Sequence, residues 1–147
     1  MTWIRLLETV HGHLGVLAAA ALLHPAILMR RGLPLSRGGW WSVALTTTVT
    51  CLAFGTGLAI YGDYREVVKP ELFREAPEVG LLFETKEHLA WMVLSIALGA
   101  GVASLMAPRR AGGVRRAAAA LYAVAALLCL AAAALGSWVA SVRGFPF

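Results

Sequence analysis

The chain has 147 residues, 59% of them apolar and 14% charged, a balance too greasy for a water-soluble domain of that size. Its net charge of +5 does not point to nucleic acid, because the basic residues sit at the ends of apolar runs instead of forming a basic face interleaved with aromatics. Cys51 and Cys129 each fall inside an apolar run as single small hydrophobes, which excludes a disulfide framework and a Cys-x-x-Cys metal site.

What remains is one integral membrane domain with the lipid bilayer as its first partner. A hydrocarbon core about 30 Å thick takes about 20 apolar residues as helix. Runs 10–29, 41–61, 88–106 and 117–142 meet that need, so the expected fold is an all-α bundle of four transmembrane helices in a single domain. The first run is read as a retained span rather than a cleaved leader, because Glu8 follows Arg5 and the run ends in Arg30 and Arg31 without a small-residue cleavage site.

The connections set the expected topology. Arg30, Arg31 and Arg37 lie between the first two spans, Arg109, Arg110, Arg115 and Arg116 between the last two, and neither connection holds an acid. Segment 62–87 mixes Arg65, Lys69, Arg74 and Lys86 with seven acids. By the positive-inside rule the arginine-dense turns face the cytoplasm, and both termini and segment 62–87 face outward from a bacterial-type inner membrane. Trp40 and Trp41 mark the inner boundary; Trp3, Tyr61, Tyr64, Trp91 and Trp138 mark the outer one. Asp63 and Glu66 have the spacing of a capping box, and Pro70 suits a helical first turn. Segment 62–87 is therefore expected to form short amphipathic helices over the bundle, with a solvated loop as the alternative. Alanine runs 117–120 and 131–134 would admit a neighbouring backbone closely.

Three of the four histidines, His11, His13 and His24, fall in the first span, where hydrocarbon cannot satisfy an imidazole. Counting about 20 residues back from Met29 and from Met106 puts His11, His13 and His88 at one level near the outer surface. First and third helices of a four-helix chain run parallel, so imidazoles from the two can meet across a gap if the helices lie diagonally or side by side. His11 and His13 are about 200° apart on a helix, so only one of them faces a given partner. His13 is the preferred one, since it shares a face with His24, about 16 Å further along the axis. For His24 the expected role is structural, with a hydrogen bond to Thr46, Thr47, Thr48 or Thr50, or to the carbonyl freed by Pro25. The alternative is a second cofactor site.

The chemistry that suits this arrangement is bis-imidazole ligation of one haem b between two membrane helices, with His13 or His11 and His88 as iron ligands. Gly12, Gly15, Gly55 and Gly57 would admit a flat macrocycle, and Arg65, Lys69 and Lys86 would meet its propionates. On the runs Val-His11-Gly-His13-Leu-Gly15 and Lys86-Glu-His88-Leu-Ala-Trp the chain resembles the small four-helix membrane b-type cytochromes. That resemblance implies a non-catalytic electron carrier within a larger redox assembly, with other membrane subunits or an outer-side electron-transfer protein as partners and quinone as a candidate reactant. Two-haem members of that group carry a second histidine on both ligand helices, whereas here the third span has none after His88, which favours one haem over a second at His24. Two other readings stand beside it. His11, His88 and a glutamate could hold zinc or copper, and a cofactor-free chain could serve as a structural or assembly subunit.

Overall fold

The computed structural model describes residues 3–144, and they form four long helices joined into one bundle. Helix α1 spans Trp3–Met29, α2 Arg37–Asp63, α3 Lys69–Glu75, α4 Pro77–Met106 and α5 Gly112–Val142, with one π-helical turn, Tyr64–Val68, between α2 and α3. All four long elements are long and apolar enough to cross a membrane. Side chains such as Ile27, Leu45, Val102 and Leu127 project outward, an arrangement that only lipid can cover at low cost.

α1 packs on α2 and α5, and α4 packs on α5 and more sparsely on α2. The two histidine-bearing helices, α1 and α4, therefore lie across the diagonal. In the half towards the arginine-dense turns, the inner half on the expected topology, the contact is made by small side chains: Ala18, Ala97, Ala100, Ala118 and Ala125 are buried around Leu22, Met29, Val43 and Tyr122. Alanines 118 and 119 of the first run thus lie inside the bundle.

Each helix exceeds its apolar run, α1 and α4 at the end that carries His11 and His88, α5 at the opposite end and α2 at both, and this is the chief departure from the expected boundaries. His88 does not open its helix. It lies three turns into α4, which starts at Pro77. Segment 62–87 is not a loop: apart from Ala76 it is helical, and its short helices join end to end to prolong α2 and α4 into a helical hairpin. Asp63 has helical dihedrals and caps nothing, so the expected capping box does not form. Pro70 does occupy a first turn, that of α3. Since Pro70 cannot donate to the carbonyl one turn back, the ladder widens ahead of it, and Lys69 N–H reaches back to Tyr64 O. The hairpin reverses at Ala76, φ −148° and ψ 72°, because the residue before a proline is driven out of the helical region, here by Pro77.

The outer hairpin has its own core of Tyr64, Val68, Leu72, Val79, Phe83 and Val139. Arg143, at the end of α5, ties the cap down through Glu71 and, at 3.4 Å, Glu75. At the opposite end, Ser36 caps α2 by accepting from Gly39 N–H at 3.1 Å. Gly32 closes α1 with φ 71°, and a Cβ there would also sit 2.7 Å from Gly112 O.

Arg115, one of the arginines that set the expected topology, has a second role. It is 2% exposed and donates from Nε to Gly32 O at 3.0 Å, from Nη1 to Pro108 O at 2.8 Å and from Nη2 to Arg109 O at 2.6 Å. One guanidinium thereby ties both inner turns together. Arg115→Ala leaves three carbonyls short of a charged donor and should lower stability by about 3 kcal/mol. Arg110→Ala, at an exposed position, should stay within about 0.5 kcal/mol. Thermal unfolding of the two variants in detergent checks the difference.

Candidate functional site

Between the alanine-rich inner core and the aromatic outer cap the four helices separate around a cavity of about 520 Å³. Its walls are small residues at helical spacing: Gly12 and Gly15 on α1, Ala53 and Gly57 on α2, Ala90 on α4, and Ala132, Ala133 and Gly136 on α5. The alanine run 131–134 thus makes room for a void as well as for a neighbour. Tyr64, stacked on Phe83 with centroids 4.3 Å apart, closes the outer end. Trp91 stands at the sparse α2–α4 seam with its ring edge-on to Phe54 at 4.5 Å.

His11 and His88, from diagonally opposed helices, both line this cavity. His11 Nδ1 lies 2.8 Å from Ala53 O, and its ring fills the space over Gly57, where a Cβ would stand 2.6 Å from Cε1. The helix turn at Gly57 therefore exists for the imidazole. His88, exposed at the rim, has Nδ1 2.8 Å from Glu84 O, one turn back. A carbonyl oxygen only accepts, so in each neutral ring Nδ1 carries the proton and Nε2 keeps a lone pair. That is the state of an imidazole ready to bind a metal, with the backbone as its orienting partner.

His13, the preferred ligand on sequence grounds, is not on the cavity wall. It shares the device, with Nδ1 2.8 Å from Thr9 O. It lies instead in a groove between α1 and α5 on the other side of Glu8 and Gly12, with Arg5, Thr9 and Gly144 around it. The inference from His24 fails because His24 does not mark the bundle interior. Its ring is at an exposed position and reaches sideways to α2, where Nδ1 meets Ser42 Oγ at 2.7 Å. The partner of His24 is thus a serine and not one of the four threonines. Thr46 Oγ1 donates to Ala21 O at 3.0 Å, the carbonyl that Pro25 leaves without its helical donor.

Gly15 and Gly57 line the cavity, while Gly55 meets open space. Arg65 and Lys69 are absent from the wall. Arg65 is exposed, and Lys69 is matched by Glu84 at 3.0 Å and Glu87 at 3.9 Å. Besides the histidines, the polar groups that do line it are Glu8, Thr50, Tyr61, Tyr64, Lys86, Glu87 and Ser137. Tyr61 and Tyr64 read from sequence as membrane-interface aromatics, and only the prolongation of α2 turns them inward. Their spacing of three residues from each other, with Tyr61 four from Gly57, was the available signal. Among the described residues no three His, Cys, Asp or Glu side chains come together as a metal-holding group, so the zinc or copper site from His11, His88 and a glutamate is not assembled.

Comparison of the chain with family models, with curated proteins and with solved structures finds no match. The site therefore rests on its geometry. Gly57→Ala should press a methyl into the His11 ring and cost about 1–3 kcal/mol by overpacking. Gly55→Ala, two residues away in open space, should gain up to about 1 kcal/mol from helix propensity. Opposite signs in thermal unfolding check the tight packing of His11 on α2.

Proposed function

We propose that the protein is a membrane electron carrier that binds one haem b in the outer cavity through His11 and His88. The observation that carries this reading is that two imidazoles on diagonal helices line one apolar cavity, each with Nδ1 held by a carbonyl and Nε2 left as a ligand. The volume lies in the range of pockets that enclose cofactors, and glycine and alanine walls let backbone approach a flat macrocycle. A bound haem b supplies a one-electron Fe(III)/Fe(II) couple tuned by its axial ligands and burial.

The chain's own residues do the rest. Ala53 O and Glu84 O fix the two rings, Gly57 gives the His11 ring its space, and the Tyr64–Phe83 stack limits access from the outer surface. A haem held by both imidazoles would have no open position for a substrate, which supports electron transfer over catalysis. The sparse α2–α4 seam beside Trp91 suits exchange with a quinone in the bilayer or with a partner subunit, and the helical cap offers a docking end for an outer-side electron-transfer protein. By the positive-inside rule the arginine-dense turns, tied by Arg115, support an orientation with that cap and both termini outside the cytoplasm.

The purified protein, expressed with ample haem, should show a low-spin b-type spectrum in both redox states with one haem per chain. His11→Ala and His88→Ala should each abolish low-spin character, and His13→Ala should keep it. The absence of a Soret band in the wild-type protein would overturn the proposal. For topology, a reporter that works only outside the cytoplasm should be active when fused after the C-terminus, and activity of a cytoplasm-only reporter there refutes the orientation.

A further inference from the structure

The outer end of the bundle carries several cations, and all but one of those near the cavity are accounted for. Lys69 is matched by Glu84 and Glu87, Arg143 by Glu71 and Glu75, and Arg65 is exposed away from the cavity. Lys86 differs. Its side chain crosses from α4 to α5 and lies over Gly136, where a Cβ would come within 3.3 Å of Cε and 3.5 Å of Nζ. It lines the cavity, and its Nζ stands 5.3 Å from the centroid of the Phe83 ring.

Among the described residues no carboxylate lies within 4.0 Å of that Nζ, although Glu8 and Glu87 belong to the same wall. Glu87 is matched by Lys69 at 3.9 Å. An ammonium has three donors to place, and the face of one phenylalanine places none of them as a hydrogen bond. Glu8 and Glu87 attract that ammonium only from beyond ion-pair distance, so its donors stay open to a carboxylate brought by an occupant of the cavity.

We infer that Lys86 is the anion anchor of the cavity, the residue that receives one carboxylate of the bound group inside the bundle. The occupant it selects is a large apolar body carrying a carboxylate at its outer end. On the haem reading, on which this inference rests, that carboxylate is a propionate. Of the three cations the sequence offered for propionates, only Lys86 faces the cavity. Gly136 is the complement on α5, since a Cβ there would already press on the lysine's Cε at 3.3 Å.

The test compares haem with its dimethyl ester, which keeps the iron and the macrocycle but has no carboxylate. Both are loaded into the full-length wild-type protein, Lys86→Gln and Lys86→Arg, and the rate of loss to an excess of a soluble apo-haemoprotein is read from the Soret band. Wild type should release haem at least about tenfold more slowly than the ester, as expected for one charge-assisted pair. Lys86→Gln should release both at the ester's rate, and Lys86→Arg should restore the difference. Should Lys86→Gln fail to fold, the comparison of acid with ester in the wild-type protein decides alone. Equal release of acid and ester by wild type, with a bis-histidine spectrum intact, overturns the anchor and leaves the haem reading standing. A wild-type protein that takes up neither compound overturns both.

Discussion

Close backbone approach through small side chains is the constraint on which this structure depends. In lipid no apolar helix gains by leaving its solvent for another apolar surface, so association rests on packing, and alanine and glycine allow the closest packing. In the inner half this works fully: Ala97 and Ala100 of α4 meet Ala118 and Ala125 of α5 with Tyr122 filling the remainder. In the outer half the same residue types face a void, which Tyr64, Phe83 and Val139 of the cap also border. One composition thus produces a closed core and an open cavity.

The histidines obey a second constraint, that a ring in an apolar helix must give its proton to something. Three of them solve it in the same way, with Nδ1 on a backbone carbonyl. Two of those carbonyls lie one turn back on the same helix. The third, Ala53 O, belongs to another helix, so His11 is held by tertiary structure as well as by its own chain. The bond does not distinguish the rings chemically. Position does, since only His11 and His88 border the cavity.

The four spans, their all-helical class and the common depth of His11 and His88 were legible because hydrophobic length and helical rise leave few alternatives. The diagonal relation of α1 and α4 was one of two arrangements compatible with the sequence. The choice between His11 and His13 was not legible, because it leaned on His24 facing inward, whereas that ring escapes sideways to Ser42. Segment 62–87 was misleading for another reason. Its sequence suggested separate short helices lying over the bundle, yet its charges pair between helices, Lys69 with Glu84 and Arg143 with Glu71, and so let a charged stretch continue as packed helix. Arg115 illustrates the same limit. A residue counted for topology proves to hold three loop carbonyls, which no sequence rule distinguishes from its neighbour Arg116.

The contrast between the two halves bears on the direction in which an electron could travel. A carrier that passes electrons across a membrane needs a second group near the other surface, and the inner half of this bundle is filled where such a group would go. Leu22, Met29, Val43 and Tyr122 are fully buried there. The hydroxyls of Thr46 and Thr47 are spent on carbonyls, and His24 is engaged with Ser42. Opening that region for a macrocycle would mean separating alanine-packed helices and abandoning those bonds together, a cost that the outer half avoids because its cavity already exists. On the proposed reading the chain is therefore an outer-face relay. Its redox partners must reach it along the surface or through the α2–α4 seam, and the inner half serves to hold the four helices in the register that brings His11 and His88 to one cavity.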